Sequence, residues 1–342
     1  MVACALAVAT VAETQTASAW WWSIAGSEPT VTGGGGRAVA IDGLGDVAVA
    51  GNRVRAVGST FEGDFTVAKL DGVTGATRWI HAFAGSLTWA SHEATDVEAT
   101  AGGDVIAAGR VSNVGSGSDL VVVRLAGSDG SEVWRTTING SAGAHDEARS
   151  IDLDQAGDVL VGGLIANAAP EQDVGVLKLA GSDGSEIWRL PTDFGVRAIV
   201  VDPAGNAVAG GNKPVAPSLT AAAVVKAGGA DGSILWTWQT PDGERAHFET
   251  VATDGEGNVL VAGDLSDGDT YPAFVAKVAG SSGEQLWLRR LPRSFVASVV
   301  ADAAGNVVAV GSRSDRTTTY QQTMVWKLRG NDGRRLWRTA IG

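Results

Sequence analysis

The feature that most constrains this chain is a spacing. A Lys or Arg precedes a Trp by ten residues six times, at Lys69/Trp79, Arg124/Trp134, Lys178/Trp188, Lys226/Trp236, Lys277/Trp287 and Lys327/Trp337. Each pair sits in a stretch of the type Val176-Leu-Lys-Leu-Ala-Gly-Ser-Asp-Gly-Ser-Glu-Ile-Trp188. Counting from Trp20, the repeat tryptophans lie 59, 55, 54, 48, 51 and 50 residues apart. A near-constant period of this size marks a repeat architecture, in which one unit buries its apolar surface only against its neighbours.

Within a repeat the sequence predicts four short strands, a to d. Strand a leads into a turn of fixed form: Asp42 to Asp46, Thr100 to Asp104, Asp154 to Asp158, Asp202 to Asn206, Asp254 to Asn258 and Asp302 to Asn306. Five of the six begin with Asp, whose carboxylate accepts backbone N–H bonds across a turn. Strand b follows and is expected to end at a glycine: Gly51, Gly109, Gly163, Gly211, Gly263 or Gly311. The strands are apolar at almost every position rather than alternating, the mark of sheets covered on both faces. Helical periodicity is absent, and turn signals recur every few residues. The fold class is therefore all-β: a β-propeller of four-stranded antiparallel blades, six complete, plus an extra N-terminal strand or a partial seventh blade.

The N-terminus carries two readings. Val2 to Ala12 is an apolar run followed by Ala17-Ser18-Ala19, which makes residues 1–19 a secretory signal peptide, although no basic residue precedes the run. Alternatively, Leu6 to Val11 aligns on Phe65 to Leu70 and makes this segment a strand of a partial blade. Residues 20–342 form the single propeller domain on either reading. A net charge of -12 and the lack of any basic stretch argue against nucleic acid as a partner. Cys4 is the single cysteine, so disulfides and cysteine-based zinc sites are excluded. No segment from Trp20 onward has the roughly 18 unbroken apolar residues of a membrane span, and the chain is expected to be a monomer.

Asp146-Glu-Ala-Arg-Ser-Ile-Asp-Leu-Asp, Gly157-Asp-Val-Leu-Val-Gly-Gly and Val176-Leu-Lys-Leu together resemble the seven-bladed β-propeller (SBBP) repeats of bacterial secreted and surface proteins. Leu70-Asp-Gly-Val-Thr-Gly-Ala-Thr-Arg-Trp79 is similar to the tryptophan-docking motif of quinoprotein (PQQ-like) propellers. These resemblances imply a propeller and an exported protein: secreted, periplasmic or on the cell surface. They describe blades and carry no chemistry.

The docking resemblance and the period together assign Trp20, Trp79, Trp134, Trp188, Trp236, Trp287 and Trp337 to packing between blades, in preference to a ring that stacks on sugars. The strand-c Lys or Arg is expected to pack its stem and present its head to solvent or to a carboxylate near the turn. The a–b and c–d turns are nearly constant in length, whereas the b–c and d–a loops vary, so the face bearing them is the candidate binding face. Five residues before each a–b turn stand Arg37, Thr95, Arg149, Arg197, Glu249 and Ala297. They are read as a polar mouth above an apolar collar of Val39, Val97, Ile151, Ile199, Val251 and Val299. Arg37, Arg149, Arg197, Glu249, His92, His145 and His247 are the candidate binding residues. The plainer alternative has the arginines paired with Glu93, Asp146, Glu147 and Glu249, and the histidines as exposed loop residues.

No catalytic constellation is legible and no cofactor is expected. The segment Asp152 to Asp158 superficially resembles a calcium loop, but Ala156 occupies a ligand position. Asp264, Asp267 and Asp269 are the better, still thin, calcium candidates. The expectation is a non-catalytic binding or scaffold module for a protein or glycan. The alternative is a lyase or hydrolase at the channel mouth, using the arginines with His145 or His247.

Overall fold

The computed structural model describes residues 31–57, 60–88, 90–169, 173–217, 219–241, 245–266, 272–314 and 321–341. The N-terminal strand, the signal-peptide reading and Trp20 lie outside these residues. The described chain forms 24 strands in six four-stranded antiparallel sheets, each in chain order. Blade 1 is β1 (Val31–Ile41), β2 (Val47–Val57), β3 (Thr60–Leu70) and β4 (Thr77–Phe83). The inner strands of the later blades are β5 (Glu93–Ala99), β9 (Glu147–Leu153), β13 (Gly195–Val201), β17 (Arg245–Thr253) and β21 (Ser294–Ala301). Successive inner strands approach one another, as radial blades require. There is no helix among the described residues, and so none long and apolar enough to cross a membrane.

The sheets are held by five joints, and each rests on the repeat Trp. Trp79, Trp134, Trp188, Trp236 and Trp287 donate their indole N–H groups to the carbonyls of Gly127, Gly181, Gly229, Gly280 and Gly330 in the next blade's c–d turn, at 2.9–3.1 Å. Their rings are only 7–8% exposed and lie in five apolar clusters, each spanning one joint. The ring also explains a turn glycine: a Cβ on Gly130, which has φ +74, would lie 2.7 Å from the Trp79 ring. Only glycine offers both that backbone angle and that clearance.

The strand-c cation belongs to the same joint. Lys69, Lys178, Lys226 and Lys277 are buried, each 2.6–2.8 Å from the Asp that opens its own a–b turn. Each also donates to the next blade's glycine carbonyl. The head thus reaches the turn carboxylate rather than solvent. Blade 2 departs as a pair: Thr100 replaces the Asp, and Arg124 reaches Asp104 instead, at 2.8 Å. A long fork spans to the further carboxylate where the nearer one is missing.

Two expectations are corrected. Strand b does not end at its glycine; β2 runs on to Val57. The glycine marks a close approach: a Cβ at Gly163 would sit 2.1 Å from the Glu147 carbonyl oxygen, and the six equivalent glycines all fall at 1.9–2.3 Å. The carbonyl is pushed there by a bulge in the inner strand. The supposed apolar collar is likewise part of the joints: Val97, Ile151, Ile199, Val251 and Val299 are buried between blades.

Blade 6 meets blade 1 through no such joint among the described residues. Trp337 is 46% exposed, and Val39 and Ile41, on the facing side of the fold, are 45% and 61% exposed. The same residue type at the same repeat position therefore carries different energies. Replacing Trp134 with Ala is expected to destabilise the fold by about 3–5 kcal/mol, as loss of a buried aromatic does. Trp337→Ala should cost about 1 kcal/mol or less, as at other exposed positions. Urea denaturation of the two variants measures the difference.

Candidate functional site

The inner-strand bulge is what builds the mouth. Opposite the strand-b glycine each inner strand carries one extra residue against its partner: Arg37, Thr95, Arg149, Arg197, Glu249 and Ala297. A bulge re-aims a side chain out of the sheet's alternation. All six positions counted back from the a–b turn are thus one structural position, occupied by Arg in three blades and by Thr, Glu and Ala in the others.

The mouth divides into two groups. Across blades 1 to 3 the charges interlock. Arg37 pairs with Glu93 at 2.5 Å, and Arg149 pairs with Glu147. His145 lies 3.0 Å from the same Glu147, and Arg110 stands between the two glutamates at 3.9 and 4.0 Å. These contacts hold the Glu147 carboxyl below the usual range: Arg149 and then His145 outweigh the opposing effect of burial. Asp146, also considered as an arginine partner, is fully buried and accepts from the Gly140 and Ala166 N–H groups at 2.6 and 2.7 Å. It ties loops together and is unavailable to the mouth.

The second group lies on blades 4 and 5. Arg197 is exposed beside Glu249, whose pKa burial raises while Arg197 and His247 hold it back. On β18 (Val259–Ser266), Asp264 stands in register with His247. Burial, with the Glu249 charge adding, pushes the Asp264 carboxyl up to about 7. Its Oδ1 is buried and accepts no hydrogen bond among the described residues. The sequence had offered Asp264 as a calcium ligand; Asp267 and Asp269 lie outside the described residues. Among the described residues no group of three His, Cys, Asp or Glu side chains could hold a metal ion.

His92 is not an exposed loop residue. It is 1% exposed, and its Nδ1 accepts from the Gly85 and Ser112 N–H groups at 3.3 and 2.9 Å. Burial keeps its pKa low, so it stays neutral and holds two loops together. His145 and His247 belong to separate groups, so the three candidate histidines do not form one site. The Asp152 to Asp158 segment is a hairpin: Asp154 accepts from Ala156 N and Asp158 N and pairs with Lys178.

A third set was missed by the sequence reading. Asp96, Glu98 and Asp152 lie on the inner strands β5 and β9. Asp96 accepts from Ile151 N at 2.8 Å, and Asp152 from Val201 N at 2.6 Å. Inner strands of adjacent blades do not pair as a sheet, so these carboxylates satisfy N–H groups that lack a ladder partner. Burial raises all three carboxyls, Asp96 to about 6 and Glu98 to about 8, with Asp152 and Asp96 adding to Glu98. The signal was a pair of acidic residues two apart in β5, Asp96 and Glu98, on either side of the buried Val97.

A scan of family models finds no match, and no curated protein matches the sequence. Solved structures do. The Kuenenia stuttgartiensis hydrazine synthase matches with a TM-score of 0.56 at 12% identity, over 91% of this chain and 80% of that one. A quinohemoprotein alcohol dehydrogenase from Comamonas testosteroni matches with a TM-score of 0.55 at 10% identity, over 87% of this chain and 58% of that one. The Myceliophteria thermophila Cps50 (Swd1) β-propeller domain matches with a TM-score of 0.54 at 12% identity, over 91% and 88%. At these identities the likeness is one of fold alone.

The raised carboxyls set a pH dependence. Glu98 titrates near 4.5 when unperturbed and about 8 when folded. Below about 4.5 both the folded and unfolded chains hold this proton. Between the two values only the folded chain does, so stability falls as pH rises and the loss is complete above about 8. The melting temperature is expected to drop across that window, and Glu98→Gln to flatten the drop.

Proposed function

We propose that this chain is a non-catalytic binding or scaffold propeller that takes a protein or glycan ligand at the mouth formed by its b–c and d–a loops. The observation that supports this is the bulge ring. One backbone device recurs in every blade and sets out three arginines, a Thr, a Glu and an Ala at equivalent positions of the inner strands, while the opposite face repeats the same turns. Structural need accounts for the bulge and its glycine but not for the choice of residue. The Arg37, Glu93, Arg110, Glu147 and Arg149 ladder fixes these side chains, so little rotamer entropy is lost on binding. Export follows from the resemblance to SBBP repeats and from the N-terminal apolar run, and is part of this proposal.

The test is a glycan array and a pull-down with the exported chain, repeated with Arg37→Ala and Arg149→Ala. Loss of about tenfold in affinity with an unchanged melting temperature supports mouth binding, since a charge-assisted hydrogen bond contributes roughly 1.5–3 kcal/mol. Binding unchanged in both variants places the ligand elsewhere.

One observation favours the enzyme alternative. Asp264, with its proton held to about 7, faces Glu249 beside His247 and Arg197, an acid with anion-binding and basic neighbours. On this reading Asp264→Asn abolishes turnover of any lyase or hydrolase substrate found. Full turnover in that variant rejects Asp264 as the acid.

A further inference from the structure

The five joints are copies of one another, so each serves as a standard for the charge of the rest. On the outer side of a joint, residues two and three places after one blade's Trp face the residues around the next blade's Trp. At the joint of blades 1 and 2, His81 lies 3.3 Å from Glu132, which also pairs with Arg135. At the next joint Glu186 pairs with Arg189 in the same way. Both blades thus place a carboxylate three residues before an arginine. The joints of blades 3 and 4 and of blades 4 and 5 carry no cation at these positions.

The joint of blades 5 and 6 breaks the pattern. Between β20 (Gln285–Leu291) and β24 (Arg335–Ile341) lies a cleft of about 150 Å³, lined by Arg289, Arg290, Arg334, Arg335 and Arg338. Its floor includes Trp326 and Leu328. Arg335 stands where blades 2 and 3 have Glu132 and Glu186, so Arg338, the counterpart of Arg135 and Arg189, has lost its internal counterion. Arg334, Arg335 and Arg338 make no ion pair among the described residues. The nearby Asp332 carboxylate is engaged by the Arg334 backbone N–H at 2.9 Å and by Arg329 at 3.7 Å. Arg289 donates to the Asp332 carbonyl at 3.1 Å, which holds its guanidinium in place.

Guanidinium groups remain charged at any physiological pH, so Arg334, Arg335 and Arg338 repel one another. A carboxylate at one position would relieve the repulsion, as it does twice elsewhere in this chain. That solution is absent in a protein whose net charge is -12, where acidic residues are abundant. Arg289, Arg334, Arg335 and Arg338 are all exposed, so an anion from solution can reach them. Several forks above an apolar floor offer more donors than one carboxylate can accept from, and match the several oxygens of a tetrahedral anion. A volume of about 150 Å³ is several times the roughly 30 Å³ share of one water.

We propose that the cleft between blades 5 and 6 binds a phosphate or sulfate group of a small ligand, held by Arg289, Arg334, Arg335 and Arg338. The site is separate from the mouth, on other residues, so its fate does not depend on the ligand bound there.

Isothermal titration of the whole chain tests it, with pyrophosphate in one arm and a sulfated disaccharide in the other, at ionic strength matched with chloride. Saturable binding is expected in at least one arm, and which arm binds names the source of the anion. Arg335→Glu, which restores the carboxylate of blades 2 and 3, should weaken binding by about tenfold or more and raise the anion-free melting temperature. Arg335→Gln, with unaltered circular dichroism, should weaken it less, and Glu132→Gln at the other joint should leave it unchanged. No saturable binding in either arm, affinity unchanged in Arg335→Glu, or citrate bound as tightly as pyrophosphate overturns the proposal.

Discussion

The rest of the structure depends on one bond set: an indole N–H and a strand-c ammonium or guanidinium that converge on the same glycine carbonyl of the next blade. A carbonyl has two lone pairs, and both are used. At Gly181 the donors are Trp134 and Arg124; at Gly280 they are Trp236 and Lys226. The cation is buried at modest cost because its own blade supplies an Asp at contact distance and the neighbouring blade an oxygen. Burying the Trp supplies the apolar gain, and the polar contacts fix where the ring lands. Blades therefore lock in one register rather than slide over apolar faces.

That arrangement frees the opposite side. Because each joint is anchored at the a–b and c–d turns, the mouth loops are not held to the repeat and can differ between blades. The bulge transmits this freedom to the inner strands: its glycine and carbonyl belong to the scaffold, and its side chain does not. Charge is treated differently around the ring. Blades 1 to 3 neutralise their mouth internally, blades 2 to 4 use inner-strand carboxylates to cap inner-strand N–H groups, and the joint of blades 5 and 6 gathers Arg334, Arg335 and Arg338, which make no ion pair among the described residues.

Legibility followed the repeat. Six blades, the position of the cation and Trp, the Asp turn and the equivalence of the positions five before it were all readable, because each recurs and so must serve the common backbone. A one-dimensional period misplaces residues in a radial sheet. It puts Val97 and its counterparts in an apolar collar, yet a blade's two faces meet two different neighbours, so these residues enter the joint with the previous blade while Asp96 reaches the next. His92 looked like any loop histidine; its burial depends on Gly85 and Ser112, 7 and 20 residues away, closing over it.

The sequence by itself determined the blades, since local turns and ten-residue spacings act within a single hairpin. Tertiary structure alone decided which charges meet. The dipeptides Arg289-Arg290 and Arg334-Arg335 read as two ordinary basic pairs, 45 residues apart between Arg289 and Arg334. They become one cleft because the joint places the end of one outer strand against the next, and electrostatic interaction depends on that distance in space rather than on distance along the chain.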